Sequence, residues 1–495
     1  MRERDIDVTA TEQLSNGGLN VFDLVQYRPR PSGAPTSGGE AGTLHREPQR
    51  SRRWVMRALG AAAVGVASPV VLAPAACAPG GQAKPAPATG GVQELTFMDW
   101  SSIENTPTET VLKNFQAKFS HIRLQVDPTP QDYETKMRAL IAAGTPSDIH
   151  RINDDYVRAY AVNGLLLDLM PYIKRDKVRR EEFFEFIYDF PIHEGKYWAW
   201  STGNQPRPLF INKTLFQNAG VQAPLFDKWD PAGWTWEDMI AAAQKLTKDP
   251  TGERPTFGVS IYHDTGYEQT FLVNFGVEDG IYSKDGKRFV MATPAGIEAI
   301  QQVVDLDCKL RVQRPFNHRE GGAGVSANTL FVQGRLGMIF SPVTNLLTFR
   351  RDIRDNFDWS VAPVPKKAKR MTEGSLIVYC VPKDAKNPDP AWQLLNYMAS
   401  DEGGRVFGET LFYVPVRKSA APFYRLPAGD KPERVNLIVE SMNFNTAVNY
   451  TNNTERARNI YRPELERKAY ICAESVKTTL DGVKKAVEDA LVGAF

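Results

Sequence analysis

The residues with chemistry to offer are scattered through the chain. Six histidines, His45, His121, His150, His193, His263 and His318, stand apart, and none has the companion at helical spacing that a metal site wants. The four cysteines, Cys77, Cys308, Cys380 and Cys472, are too widely spaced for a CxxC redox or zinc-ribbon motif. They read as small buried hydrophobes, with one disulfide among them left open. No G-x-S-x-G elbow, H-E-x-x-H or phosphate-binding loop occurs, and the paired acids Asp154-Asp155 and Asp305/Asp307 lack the context of hydrolytic carboxylates. What recurs is aromatic rings beside planar polar side chains after apolar runs. Asp99-Trp100-Ser101-Ser102, Asn153-Asp154-Asp155, and Tyr197-Trp198-Ala199-Trp200 leading into Asn204 are the examples. A ring gives a platform for an apolar face, and a carboxylate or amide gives a fork for hydroxyls. That is the chemistry of capture, with no catalytic residue, metal or cofactor expected.

Such loops need elements to hold them. Gln93–Asp99 places Leu95 and Phe97 at period two, which predicts a strand. Thr106-Pro107-Thr108-Glu109 reads as a capping box with proline at the first helical position, opening a helix faced by Val111, Leu112, Phe115 and Phe119. His121–Asp127 alternates Ile122, Leu124 and Val126, completing a βαβ unit with a right-handed crossover. Predicted helices follow at Asp132–Ala143, Tyr156–Asn163, Trp236–Leu246 behind Thr235, after Thr293-Pro294, at Ala391–Ala399 behind Asp389-Pro390, and near Glu474–Leu491. Predicted strands lie at Ser147–Ile152, Leu209–Asn212, Phe257–Ile261, Leu336–Ser341 and Ser375–Val381. The alternation argues an α/β body with largely parallel sheets. Tyr133, Trp234 and Trp236 read as core. Trp198 and Trp200 alternate along a predicted strand, so at most one of them faces a ligand.

Before this body lies Ser51–Cys77, SRRWVMRALGAAAVGVASPVVLAPAAC, with no charge over the nineteen residues Ala58–Ala76. Charged start, apolar middle and small-residue exit form the pattern of an export signal, and Ser51-Arg52-Arg53 resembles its twin-arginine type. Three readings stand: lipidation at Cys77, cleavage near Ala73-Pro74-Ala75 without an anchor, or an uncleaved membrane helix. The Gly/Pro/Ala tether over 78–91 favours the lipoprotein, although Pro74 stands where that motif usually has Leu. Residues 1–50 show no sustained period and are expected to be a disordered extension. Hydrophobic and charged fractions of 42% and 24% are those of an ordinary globular chain. Residues 1–57 hold nine Arg and seven Asp/Glu, so with the whole chain at +2 the exported part is formally neutral. Nothing there gives the basic footprint of a nucleic-acid binder.

Several tracts then resemble one family in co-linear order. YETKMRALIAAGTPSDI is similar to a helix-Gly-x-x-Pro-Asp-strand signature, and LFINKTLFQNAGV to a "tyrosine-Asn-Lys … Phe … Ala-Gly" segment, with Phe210-Ile211 where tyrosines are usual. Gly233-Trp234-Thr235-Trp236-Glu237-Asp238 resembles a Thr-Trp-acidic helix start. FVQGRLGMIF is similar to "Phe-x-x-Gly-Lys-x-Ala-Met", with Arg335 for Lys and Gly337 for Ala. Val361–Pro365, Trp392–Asp401 and Tyr413–Arg417 follow. The whole body, Val92–Phe495, thus resembles the extracellular solute-binding proteins of bacterial ABC importers, the group that includes maltose-binding protein.

The resemblance implies a two-lobed periplasmic-binding-protein-like fold, each lobe a mostly parallel sheet flanked by helices, with a cleft between lobes. It implies an N-lobe of 92–204 and 341–375, a C-lobe of 205–340 and 376–495, and crossings near Ser201–Arg207, Phe340–Pro342 and Gly374–Leu376. It also implies a monomeric carbohydrate-binding component on the outer face of the cytoplasmic membrane, delivering to permease subunits with their ATPase. A polyol phosphate, a peptide or an organic ion would suit the same fold, and an exported carbohydrate-active enzyme or surface adhesin is the reading from another class. The ligand-facing set it implies is Trp100, Ser101, Asn153, Asp154, Asp155, Trp198, Trp200 and Asn204, then Tyr267 and Gln269 in the second lobe. Ser341 and Asn345 after the second crossing, Glu373 and Gly374 before the third, and Tyr413 complete it.

Overall fold

The computed structural model describes residues 92–493, apart from 130, 262–263, 317–324 and 451. The expected extension, export signal, Cys77 and tether lie outside the described residues. Thirteen strands occur among the described residues: β1 (Gln93–Asp99), β2 (Ile122–Pro128), β3 (Ile149–Ile152), β4 (Ile192–His193), β5 (Lys196–Tyr197), β6 (Trp200–Asn204), β7 (Leu209–Asn212), β8 (Phe257–Ser260), β9 (Leu336–Phe340), β10 (Trp359–Ala362), β11 (Thr372–Glu373), β12 (Leu376–Cys380) and β13 (Asn445–Thr446). They build a five-stranded sheet, β2-β1-β3-β12-β6, and a four-stranded sheet, β10-β7-β9-β8, with two minor pairs, β11-β13 and β4-β5. Each large sheet is the centre of one lobe.

The opening βαβ unit is as predicted. β1 pairs parallel with β2, Gln93 opposite Ile122, and the helix Pro107–Lys118 connects them. The Thr106 hydroxyl accepts from the Glu109 N–H at 3.4 Å, while the Glu109 carboxylate reaches back to the N–H of Asn105 rather than of Thr106. Val126, expected inside, is 36% exposed because β2 is an edge strand with a single neighbour. Thr235 forms the full reciprocal box with Asp238 and starts Trp236–Leu246. Trp234 and Trp236 are core as predicted, Trp234 donating its Nε1 to the Pro363 carbonyl at 3.0 Å.

Two expectations are corrected. The sheets are mixed rather than largely parallel: β12 runs antiparallel to β3 and β6, and β7 antiparallel to β9 and β10. Only pairs joined by a helical crossover must be parallel, and β12 arrives from the other lobe. The allocation of segments also differs. β10 belongs to the second sheet and β12 to the first, the reverse of the expected assignment. The chain passes to the second sheet between Asn204 and Leu209 and remains there through β9 and β10, so no crossing occurs at Phe340–Pro342. It returns between Ala362 and Leu376, and by Glu433, paired with Ser360, it is back at the second sheet. LGMIF (β9) and LIVYC (β12) are both fully buried runs suited to the middle of either sheet. Nothing local to them tells which sheet they join.

A large core runs through both sheets, and a smaller one packs Leu272, Tyr282, Phe289, Ile300, Tyr461, Leu465 and Leu480 in the second lobe. Cys308 and Cys472 form a disulfide over this smaller core, with a sequence separation of 164, and Cys380 is the buried free thiol among the described residues. Closing so long a loop removes denatured-state entropy and stabilises by roughly 2–4 kcal/mol. Among the described residues no helix is long and apolar enough to cross a membrane.

Candidate functional site

The chain crosses between sheets through Gln205-Pro206-Arg207-Pro208, and charge is buried there. Arg207 sits between three elements. Its Nη1 lies 2.6 Å from Asp264 Oδ2, its Nε pairs with Glu373, and its guanidinium covers the Tyr267 ring at 4.5 Å. Its backbone is clamped by Thr372, whose hydroxyl accepts from the Arg207 N–H at 3.1 Å and donates to the Arg207 carbonyl at 2.9 Å. Asp264 does double duty, since its Oδ1 caps the helix Thr265–Asn274 through the Tyr267 N–H at 2.9 Å. Glu373 lies against Gly266 in the first turn of that helix, where a Cβ would be 1.8 Å from its Oε1. Only glycine leaves room for it.

From the first lobe, β3 feeds the helix Asp154–Val162. Asp154 points to the crossing and accepts from the Leu376 N–H at 3.4 Å. Burial, and then the neighbouring Asp155, push its carboxyl up to about 7. Burial also raises Glu373, to about 8, with Asp264 and Asp154 adding to it against Arg207. Burial works the same way on Asp264, but the Arg207 charge and hydrogen bond outweigh it and hold that carboxyl below its ordinary value. Arg207 pairs with Asp264 and Glu373 while Asp154 turns to the Leu376 N–H, and desolvation favours the protonated form of Asp154 and Glu373.

The two lobes meet directly around this cluster. Asp155 Oδ2 and Arg458 Nη1 are 2.5 Å apart, Arg158 donates to the Tyr450 carbonyl at 3.0 Å, and Arg138 pairs with Glu455 at 3.4 Å. A cavity of about 550 Å³ lies between the helices Tyr133–Ala142 and Asp154–Val162 on one side and residues 452–456 on the other. Asp155, Tyr156 and Tyr160 are in its wall.

A second polar cluster closes the end of β1. Asp99, fully buried, accepts from the Ser101 N–H and hydroxyl, both at 3.0 Å, from Tyr379 Oη at 2.8 Å and from Arg151 Nη1 at 3.4 Å. Arg151 in turn lies 4.3 Å from the Trp100 ring centroid, and the Tyr133 edge meets the same ring at 5.7 Å. Trp100 is thus fixed but keeps part of its surface open.

Of the residues singled out in the sequence, Asp154, Asp155, Asn204, Tyr267, Glu373 and Gly374 come together at the crossing. Asn204 pairs with Leu376 and Val414 through its backbone, and its Oδ1 has no partner. Gly374 allows Phe186 to approach, where a Cβ would be 2.3 Å from the ring. Trp100 and Ser101 lie in the β1 cluster, and Tyr413 is buried against Gly203 beside it. Asn153 is half-buried and reaches Glu134 at 3.4 Å. The remaining five are elsewhere. Trp200 is 1% exposed, wedged among Phe183, Tyr197 and Trp392, and it is core rather than platform. Trp198 sits by the β4-β5 hairpin, donating to the His193 carbonyl at 3.2 Å. Gln269 accepts from the Ile281 N–H at 2.9 Å inside the second lobe, and Ser341 and Asn345 are buried and satisfy each other at 2.8 Å. Pattern at the end of a strand does not reveal which neighbour fills the space beside it.

Arg151, Arg207, Asp264, Tyr450 and Arg458 escaped the sequence reading as site residues. Two of them carried a usable signal. Arg151 is a lone cation in the apolar strand Ile-His-Arg-Ile, and Arg207 is a lone cation between two prolines in an otherwise uncharged run from Tyr197 to Asn212.

The fold is shared with solved structures. An ABC substrate-binding protein from Listeria monocytogenes, in complex with cycloalternan, superposes with a TM-score of 0.70 at 20% identity, covering 81% of this chain and 99% of that one. A solute-binding protein from Thermotoga lettingae bound with α-D-tagatose gives 0.66 at 19% identity, covering 81% and 100%. A cyclic α-maltosyl-1,6-maltose binding protein from Arthrobacter globiformis gives 0.64 at 21%, covering 81% and 99%. The family model of the bacterial extracellular solute-binding proteins matches residues 100–405, most of the folded body. The chain therefore belongs to the bacterial extracellular solute-binding protein family.

Proposed function

We propose that this exported protein is the substrate-binding component of an ABC importer and that its solute is a carbohydrate. The observation that carries this reading is the junction of the two lobes, where planar polar groups (Asp154, Asp264, Glu373) gather at the short segments that join the sheets, with the part-exposed Trp100 ring at the end of β1 in the first lobe. Rings and planar hydrogen-bonding groups suit a solute with C–H faces and a rim of hydroxyls, and lobes of this kind close by hinge motion around ligand. The sugars in the complexes of the similar structures, cycloalternan and α-D-tagatose, support the same class. The protein binds rather than transforms its solute. It acts as a monomer that docks on permease subunits, whose ATPase supplies the energy, and it has no nucleic-acid partner. A lipid on Cys77, reached after twin-arginine export through Ser51-Arg52-Arg53, holds it at the outer face of the cytoplasmic membrane.

A thermal-shift screen of the purified chain against sugars, polyols and peptides tests the ligand class, because a native-state ligand at a hundred-fold excess over its Kd stabilises by about 2.7 kcal/mol. A clear shift with a sugar is expected. A shift with peptides alone sinks the carbohydrate reading, and turnover of the stabilising compound sinks the binding-protein reading. For the anchor, fatty-acid labelling of cells is expected to be lost in Cys77→Ala; equal labelling rules the anchor out.

A further inference from the structure

The helix Thr265–Asn274 opens with Asp264 and Tyr267 against Arg207, and the residue after Tyr267 is an acid that the crossing does not use. Glu268 is 3% exposed and accepts from Tyr461 Oη at 3.2 Å and from Tyr470 Oη. Arg462 stands beside it: its charge acts on Glu268, Glu466 and Asp264, and its Nη1 donates to the Thr265 hydroxyl at 3.4 Å. Burial raises the Glu268 carboxyl, and Arg462 and the two tyrosine hydroxyls oppose that rise. The Glu268 N–H also donates to the Asp264 carbonyl at 2.9 Å. Whatever moves Glu268 therefore moves the turn that holds Asp264 and Tyr267.

The two tyrosines reach one carboxylate by an unusual path. They are nine residues apart, about two and a half turns of an α-helix, which would set them on opposite faces. The helix Thr454–Glu464 instead runs into a π-helical turn, Leu465–Ala469, whose wider pitch brings Tyr470 round to join Tyr461 on Glu268. Two residues past Tyr470, Cys472 is bonded to Cys308 at the end of the helix Pro294–Cys308. Cys472 stands at φ 63°, in the left-handed region that non-glycine residues rarely adopt. Cys308 Sγ also lies 3.9 Å from the carbonyl oxygen of Ala469, immediately before Tyr470. The wide turn is thus fastened where it delivers its tyrosine.

We infer that Glu268 is a positioning residue for the solute site and that the Cys308–Cys472 bond holds its partner Tyr470 in place, so that opening the bond loosens the crossing and weakens solute binding. The inference rests on the crossing being the solute site, as proposed above. Cys472 is exposed and Cys308 half-buried, so a dithiol reductant meets Cys472 first. One thiolate of the dithiol attacks Cys472 Sγ, the S–S bond breaks, and Cys308 leaves as a thiolate that takes up a proton. The second thiolate of the dithiol then displaces Cys472, so two electrons and two protons end on the protein and the dithiol closes to a cyclic disulfide. Cys472, released, relaxes out of the left-handed region, and Tyr470 loses its fixed approach to Glu268.

The test uses the full chain, dithiothreitol as the dithiol, and glucose, mannose, galactose and maltose as probes. Hydrogen exchange over 264–274, read by mass spectrometry well below the melting transition, needs no ligand. Reduction is expected to speed exchange there about ten-fold, because amides exchange through local opening. It is expected to lower affinity for the sugar that binds by about ten-fold as well, the effect of losing a hydrogen bond to a buried carboxylate. Tyr470→Phe removes only the hydroxyl. With its disulfide intact it is expected to match the reduced wild type in both measurements, and reduction is expected to add nothing further. The double variant Cys308→Ser, Cys472→Ser is expected to match them too and to ignore dithiothreitol. Unchanged exchange over 264–274 on reduction overturns the coupling, as does a full reduction effect in Tyr470→Phe, which is what a merely structural disulfide gives. Faster exchange with unaltered sugar affinity overturns the crossing as the solute site, and with it the role of Glu268 in binding. No melting shift with any sugar fails the carbohydrate reading alone, and the exchange measurement then upholds or overturns the coupling.

Discussion

Two aromatic regions of the first lobe and its border are built from similar residues and serve different ends. Beneath β6, Trp200 is enclosed by Phe183, Tyr197 and Trp392, with ring centroids 4.8–5.5 Å away. At the crossing, the Tyr267 ring carries a guanidinium on its face, and Arg207, Asp264, Glu373 and Asp154 crowd around it. The first region is ordinary close packing, and its stability follows from apolar area and dispersion. The second withdraws charged groups from water, an arrangement that adds little to stability by itself. Aromatic content alone does not distinguish them. Ionisable groups drawn out of water do.

The comparison breaks most readily through Arg207. Arg207→Met leaves Asp264 and Glu373 side by side without their cation, and urea unfolding is expected to show a loss of about 3–5 kcal/mol. A loss below about 1 kcal/mol would mean that water reaches the trio freely. Trp200→Ala is expected to cost a similar amount, about 3–5 kcal/mol, by opening a cavity in the aromatic core. Its sugar affinity, measured on the folded protein by calorimetry, is expected to stay as in the wild type. A ten-fold drop there would return Trp200 to the site and erase the contrast. Trp100→Ala is expected to do the reverse, costing only about 1 kcal/mol of stability through the lost Arg151 contact while weakening sugar binding measurably.

The smallest effect is a slope. Asp154 and Glu373 are held up at about 7 and about 8 in the folded protein, first by burial, against roughly 4 in an unfolded chain. Between these limits the folded state binds more protons than the unfolded one, so stability falls as pH rises. Their contribution is complete below pH ~4 and lost as pH passes through 7 and 8. Glu373→Gln is expected to flatten unfolding free energy between pH 5 and 8, read from urea midpoints. An unchanged slope would place the proton uptake elsewhere.

Much of the scaffold was readable without coordinates. Helix starts at Thr106, Thr235 and Thr293 are chemical signals, because a hydroxyl before a helix satisfies N–H groups that have no other partner. Strands such as Leu209–Asn212 declare themselves by apolar runs of the right length. The site was legible only in part. Asp154 and Glu373 could be suspected from their places after a strand and before a crossing, whereas Trp200, Gln269 and Ser341 occupied equally suggestive places and proved internal. Arg458 lies 303 residues from the Asp155 it pairs with, and no local pattern announces such a partner.

The sequence by itself determined the α/β class, most element boundaries, the family resemblance and the absence of any catalytic motif, because caps, periods and punctuating glycines and prolines act over a few residues. Tertiary structure alone decided that β10 and β12 exchange lobes relative to expectation, that Cys308 meets Cys472, and that one arginine at the crossing pairs with two carboxylates from distant segments. Those outcomes depend on which distant segments share a sheet or a desolvated space, and the free energy of burying a charge is set by everything around it rather than by its neighbours in the chain.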